Sequence, residues 1–141
     1  MTYKIIKALN KLRSSELHAI LQYMNQRYAI EEHCKKTAKM FKEIAIDEMH
    51  HAELLAKRIE SFGGIPTTLV DTHIQPYETI LEAAKYNIRL EQHGLNSYND
   101  ALALCKKHGD HETEIILTKI IEREKLHVMK FEQLVYMEVG E

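Results

Sequence analysis

Proline and glycine are scarce in this chain, two and five among 141 residues. Long stretches without either favour helix, and a β-sandwich would need more turn residues. Cysteine is nearly as rare. Cys34 and Cys105 form no CxxC pattern, so neither a thiolate zinc site nor a disulfide framework is expected. A reducing cytosol follows as the expected compartment. Charge of one sign is lacking too: the net charge of −2 argues against nucleic acid or an anionic membrane surface as partner. No apolar run is long enough to span a bilayer. The opening stretch MTYKIIKALNKLRSSEL is periodic and polar on one side, unlike a signal peptide. What is present is ordinary for a globule of one domain over residues 1–141, with 45% apolar and 28% charged residues. Nine histidines beside twenty-one acids stand out, and position must decide which of them matter.

Apolar residues recur at helical spacing in four segments. The first runs from about Tyr3 to His33 and carries Leu9, Leu12, Ile20 and Tyr23. The second, from about Thr37 to Phe62, carries Phe41, Ile44, Leu55 and Ile59, and FGGIP ends it, because glycine supplies a left-handed residue and Pro66 prevents resumption. The third runs from about Tyr77 to Lys107 with Ile80, Ala84, Ile88, Leu95, Tyr98 and Leu102. After the break HGD at 108–110, the fourth runs from about His111 to Glu138 with Leu117, Ile120, Phe131 and Leu134. Helices of roughly 26–31 residues, about 40 Å each, fit a four-helix bundle. The first and third joins are short and make antiparallel neighbours. The middle join, Gly63 to Pro76, reaches roughly 45 Å when extended, the full length of the bundle. The expected fold is therefore all-α: a ferritin-like four-helix bundle with one long crossover between helices 2 and 3. That topology puts Cys34 and Cys105 at opposite ends, too far apart to bridge.

Each apolar stripe breaks once, near its middle. Glu16 falls between Leu12 and Ile20, Glu48 and His51 between Ile44 and Leu55, Glu91 between Ile88 and Leu95, and Glu124 and His127 between Ile120 and Phe131. In an up-and-down bundle the four midpoints share one level, so these six side chains face one another. Four ionised carboxylates in a dry core would each cost several kcal/mol to desolvate and would repel one another. Bound cations relieve both penalties. Two divalent ions bring +4 and leave both histidines neutral, and oxygen and imidazole donors without thiolates suit iron or manganese. One ExxH motif is a weak signal. Here EMHH at 48–51 and EKLH at 124–127 occur together with two further acids, each in its own helical stripe, which surface acids at accidental phase would not produce.

From ALNKLRSSELHAILQYM through AIDEMHHAE and FGGIP to IIEREKLH, the chain resembles bacterioferritin. The resemblance implies a di-iron centre of two irons per subunit. Its ligands would be Glu16, Glu48, His51, Glu91, Glu124 and His127. Glu48 and Glu124 would bridge, Glu16 and Glu91 would cap, and each histidine would complete one iron. The implied activity is that of a ferroxidase, oxidising Fe(II) with O2 or H2O2 and storing the ferric product as mineral inside a hollow shell. A ferredoxin-type electron donor is the implied partner for iron release, and the implied location is cytoplasmic. Met49, directly after Glu48, matches the family's haem axial ligand, one haem being shared by two subunits. It lies about 100° round the helix from Glu48 and so faces a neighbour. The alternative is a gap-filling interface methionine. Tyr23, two turns after Glu16, matches a tyrosine beside the metal site, with a radical or relay role or a plain core role open to it. Tyr98, in the same relation to Glu91, reads as core. Asp47, with Glu43 one turn earlier, reads as an inner iron site or a solvated acidic face, the second being favoured.

The sequence departs from the family at its end. Typical members carry a short fifth helix that lines the channels of a 24-subunit shell, and only Val-Gly-Glu follows Glu138 here. A smaller shell of about twelve subunits, built from haem-linked dimers, is expected instead. Two other functions compete: a rubrerythrin-like peroxide-reducing di-iron enzyme, whose usual CxxC pairs are lacking, and a haem-linked dimer for electron transfer without mineral.

Overall fold

Turn chemistry sets the frame. The computed structural model describes residues 2–71 and 73–139, and among them are four helices and no strand: α1 (Thr2–Ile30), α2 (Lys35–Ser61), α3 (Ile80–Lys107) and α4 (His111–Val139). α2 and α3 end alike. Gly63 has φ +80°, and the N–H groups of Gly63 and Gly64 donate to the carbonyls of Glu60 and Ile59 at 2.9 and 3.0 Å. Gly109 has φ +69°, with Gly109 and Asp110 donating to Lys106 and Cys105 at 3.2 and 2.9 Å. Both are paired backward hydrogen bonds closed by a left-handed glycine, a conformation only glycine adopts without a Cβ penalty. Asp110 then caps α4, accepting from the Thr113 N–H at 3.1 Å.

Two boundaries differ from expectation. α1 stops at Ile30 and not His33, because the N–H groups of His33 and Cys34 turn back onto the Ile30 carbonyl at 2.9 Å. α3 starts at Ile80 and not Tyr77. Thr79 is extended, and its hydroxyl accepts from the Glu82 N–H at 3.1 Å, so the helix begins after this cap. The crossover therefore spans Phe62 to Thr79. Gly140 and Glu141, which bear on the expected lack of a fifth helix, lie outside the described residues.

α1 and α2 form one hairpin and α3 and α4 the other, with α1 against α3 and α2 against α4. The core is divided. Leu9, Leu12, Leu55, Ile59, Leu117 and Ile120 form one buried cluster with Tyr98 and Cys105, and Ile30, Phe41, Ile44, Phe131 and Leu134 form another with Tyr23. Each fully buried aliphatic or aromatic side chain contributes about 1.5–3 kcal/mol. Cys105 belongs to the first cluster and Cys34 packs against the second, and both thiols are free. Between the clusters lies a polar layer.

The crossover is fastened along one face of α1. The Asn10 amide donates to the Ile65 carbonyl at 3.1 Å, Ser14 Oγ to Leu69 at 2.6 Å and Gln22 Nε2 to Gln75 at 2.8 Å, while His18 Nδ1 lies 2.6 Å from the Asp71 carbonyl. Positions 10, 14, 18 and 22 are one helical stripe. Arg13 adds a clamp, donating to Thr67 at 3.0 Å and to Ala52 on α2 at 2.6 Å. No helix among the described residues is long and apolar enough to cross a membrane.

Candidate metal centre

The polar layer contains all six residues that interrupt the stripes. Glu16, Glu48, Glu91 and Glu124 are 2–3% exposed, and His51 and His127 are buried with them. They fall into two overlapping groups: Glu16, Glu48, His51 and Glu124, and Glu48, Glu91, Glu124 and His127. Within each group one donor atom per residue lies within 4.8 Å of the others. Glu48 and Glu124 belong to both groups, and each group is completed by one further carboxylate and one imidazole.

Distances inside the layer are short. His51 Nδ1 is 2.8 Å from Glu124 Oε1, 3.2 Å from Glu48 Oε1 and 3.6 Å from Glu16 Oε2. His127 Nδ1 is 3.2 Å from Glu48 Oε1 and 3.4 Å from Glu91 Oε1. Burial pushes the Glu48 and Glu124 carboxyls well above the usual range, and repulsion from Glu16 and the other acids adds to it. Burial also raises Glu91, but Glu124 and His127 outweigh it and hold this carboxyl low. Burial favours neutral imidazole at both histidines. The neighbouring carboxylates win, raising His127 and bringing His51 to about 9. The layer without cations is thus a set of acids sharing protons.

Among the described residues, four buried side-chain atoms have no hydrogen-bond partner: Glu16 Oε2, Glu48 Oε1, Glu91 Oε2 and His127 Nδ1. Unsatisfied buried polar atoms are uncommon, and each costs about 1–3 kcal/mol. All four orphans here belong to the two overlapping groups and all can donate electron pairs. The residues fit two divalent cations, which would satisfy the orphans and balance four carboxylates.

Tyr23 lies against this layer, its hydroxyl donating to Glu91 Oε1 at 2.8 Å. Two partners were not legible in the sequence. Tyr98, expected as core, is buried, but its hydroxyl donates to Glu16 Oε1 at 2.8 Å. The signal was its seven-residue spacing from Glu91, the same as that of Tyr23 from Glu16. Asp47 is not a free acid on a solvated face. Its Oδ2 lies 2.9 Å from His127 Nε2 and also accepts from Arg123. Burial raises the Asp47 carboxyl, but these two donors outweigh it and hold it below the usual range. Glu43 points elsewhere, exposed and 3.9 Å from Lys39, so the two do not form a joint site.

Met49 faces away from the metal layer and is 42% exposed. It lines a shallow depression of about 320 Å³ with Arg13, Leu17, Ile20, Ala52 and Ala56. A second cavity, of about 310 Å³, opens between α1 and α3. Ser14, His18, Asp71, His93 and Gly94 line it together with Glu16, Glu48, Glu91 and Glu124.

A four-helix bundle with a long crossover and a buried carboxylate–histidine layer defines a ferritin-like protein, and residues 6–137 match the ferritin-like domain. The chain is 38% identical over 132 residues to a bacterioferritin from Desulfovibrio desulfuricans, covering 93% of this chain and 74% of that one. It is 28% identical over 126 residues to a Brucella melitensis bacterioferritin, covering 89% and 78%. The X-ray structure of a D. desulfuricans bacterioferritin, determined with its di-iron site in different catalytic states, aligns with TM-score 0.93 at 36% identity, over 99% of this chain and 84% of that one. Mycobacterium tuberculosis bacterioferritin BfrA shares the fold, with TM-score 0.90 at 24% identity over 95% and 85%. The chain belongs to the bacterioferritin family.

Proposed function

We propose that this chain is a ferroxidase serving iron storage and detoxification, with Fe(II) as its substrate. The observation that carries the reading is the set of four buried donor atoms without partners, all on the six residues at the level where the helix stripes break. Glu48 and Glu124 would bridge two irons. Glu16 with His51 and Glu91 with His127 would each complete one. Iron bound there supplies one electron per ion to O2 or H2O2. The chain's own contribution is to hold acceptor groups in place between two apolar clusters and to move protons off Glu48 and Glu124 as positive charge arrives. The cavity past Gly94 is the route by which Fe(II) and oxidant would reach these carboxylates.

Bacterioferritin relatives also support assembly as a shell of copies. Storage needs an enclosed space, and about twelve subunits is the expected number. Met49 would hold haem through its thioether on the α1–α2 face, one haem between two subunits, in a depression lined by Leu17, Ile20, Ala52 and Ala56 and by the charged Arg13 and Glu53. A ferredoxin-type donor would feed electrons for iron release. The free thiols fit a reducing cytoplasm.

Glu48→Ala should abolish rapid Fe(II) oxidation, followed by absorbance, while circular dichroism stays helical. Full-rate oxidation by this variant would misplace the active site. Met49→Leu should remove the haem absorption at one haem per two chains and leave oxidation intact. Mass in solution separates a shell from a haem-linked dimer, which could not store mineral.

A further inference from the structure

The two buried tyrosines are placed reciprocally. Tyr23 shares α1 with Glu16 but donates across to Glu91 on α3, and Tyr98 shares α3 with Glu91 but donates across to Glu16 on α1. Both hydrogen bonds are 2.8 Å, and both end on Oε1 of a carboxylate. In both carboxylates the other oxygen, Oε2, is buried without a partner. Each phenol rises from a different apolar cluster, Tyr98 from the one around Leu9 and Leu117, Tyr23 from the one around Phe41 and Phe131. Packing alone asks only for a ring at these places. The hydroxyls are what the polar layer uses.

We propose that Tyr98 is a positioning residue for the Glu16–His51 half of the metal centre. By donating to Oε1, it leaves Oε2, which lies 3.6 Å from His51 Nδ1, as the Glu16 oxygen free of hydrogen bonds and turned to a cation on that side, while Tyr23 holds Glu91 Oε1 in the other half. A carboxylate held through one oxygen by a buried donor loses rotamer freedom before metal arrives, so less order has to be created on binding. It is also kept from chelating with both oxygens. The two halves pair one carboxylate, one tyrosine and one imidazole each but differ in detail: His51 Nδ1 is 3.6 Å from the free Glu16 Oε2, and His127 Nδ1 is 3.4 Å from the Glu91 Oε1 that Tyr23 also holds.

The inference rests on the metal-centre reading, and Co(II) alone separates the two. Metal-free wild type, Tyr98→Phe and Tyr23→Phe are titrated anaerobically with Co(II) by visible absorbance. The ions are then located by anomalous scattering in crystals soaked with about one equivalent. Wild type should bind two ions per chain. Tyr98→Phe should bind one of them about ten- to hundredfold more weakly, with the loss confined to the Glu16–His51 half. Tyr23→Phe should show the reverse. A general packing defect would not choose between the halves. Wild-type constants in Tyr98→Phe, or a loss spread evenly over both halves, would overturn the role of Tyr98. No Co(II) uptake by wild type would overturn the metal-centre reading itself. Should Tyr98→Phe not fold, the Co(II)-loaded wild-type crystal decides. Glu16 bound through Oε2 with Oε1 on Tyr98 supports the proposal, and a chelating Glu16 overturns it.

Discussion

His127 is held between two environments, with Nε2 2.9 Å from Asp47 Oδ2 and Nδ1 buried without a hydrogen-bond partner. A neutral His127 that donates from Nε2 to Asp47 carries its lone pair on Nδ1, which faces the carboxylate layer. Partners of this kind typically tune affinity by ten- to hundredfold. Asp47→Ala should therefore weaken Co(II) binding at the Glu91–His127 half by about that factor while leaving the other half alone. Unfolding should shift as well, by about 1–3 kcal/mol, because removing Asp47 leaves Nε2 of the fully buried His127 without its partner, whereas the more exposed Arg123 pair adds little. Unchanged titration constants would show that His127 needs no such brace.

Glu48 and Glu124 sit well above the ordinary carboxylate range in the metal-free layer, and His51 sits near 9. A raised carboxyl favours folding only while protonated, and a raised histidine only while charged. Both contributions are therefore lost as pH rises, the first from about pH 4 upward and the second between about 6.5 and 9. Glu91, held low, runs the other way. The net expectation is a metal-free chain that loses stability between pH 6 and 9 and metal uptake that releases protons and tightens with pH. Calorimetry in buffers of different ionisation enthalpy measures the release, and zero protons released would contradict the proton-sharing layer.

Arg58 on α2 grips the α3–α4 turn, donating to Thr113 Oγ1 at 2.8 Å, Asp110 Oδ1 at 3.0 Å and Glu112 Oε2 at 2.7 Å. Asp110→Ala removes both the cap of α4 and a partly buried partner of Arg58, and should cost about 1–3 kcal/mol in thermal or urea unfolding at neutral pH. Burial raises the Asp110 carboxyl, but the Thr113 hydrogen bonds and Arg58 outweigh it and hold it low. A depressed carboxyl stabilises above its unfolded pKa, and that contribution is lost in acid. The gap between variant and wild type should thus narrow below about pH 4.

Gly94 lies inside α3, and a Cβ built there meets nothing within 4 Å. Gly94→Ala should stabilise by about 0.5–1 kcal/mol, the usual gain for a helix-interior glycine. Gly94→Leu projects instead into the cavity leading to Glu16 and Glu91. It should slow Fe(II) oxidation several-fold with the helical signal unchanged, and wild-type rates would mean that substrate arrives by another path.

The order of four helices, the crossover and the six convergent residues were legible because each is a matter of period. A stripe repeats every 3.6 residues, and a carboxylate in it declares itself without a partner being known. The helix starts were less legible. Tyr77 and Ile80 both fit the stripe of α3, and only the Thr79 cap chooses between them. What the periodicity left open was who meets whom. Asp47 reads as a surface acid next to Glu48 until α4 brings His127 and Arg123 across to it.

By itself the sequence determined that every helix would carry its acid into the core at one level, because charge at buried phase is costly in any packing that fills the stripes. It also determined where α2 and α3 end, through the glycines that follow them. Only the tertiary structure decided that Tyr98 serves Glu16 and Tyr23 serves Glu91, and that the polar face of α1 at Asn10, Ser14, His18 and Gln22 belongs to the crossover and not to solvent. The reason is physical. A helical period fixes the direction of a side chain around its own axis, while a hydrogen bond between elements depends on their axial register and separation, which are set when the whole bundle packs.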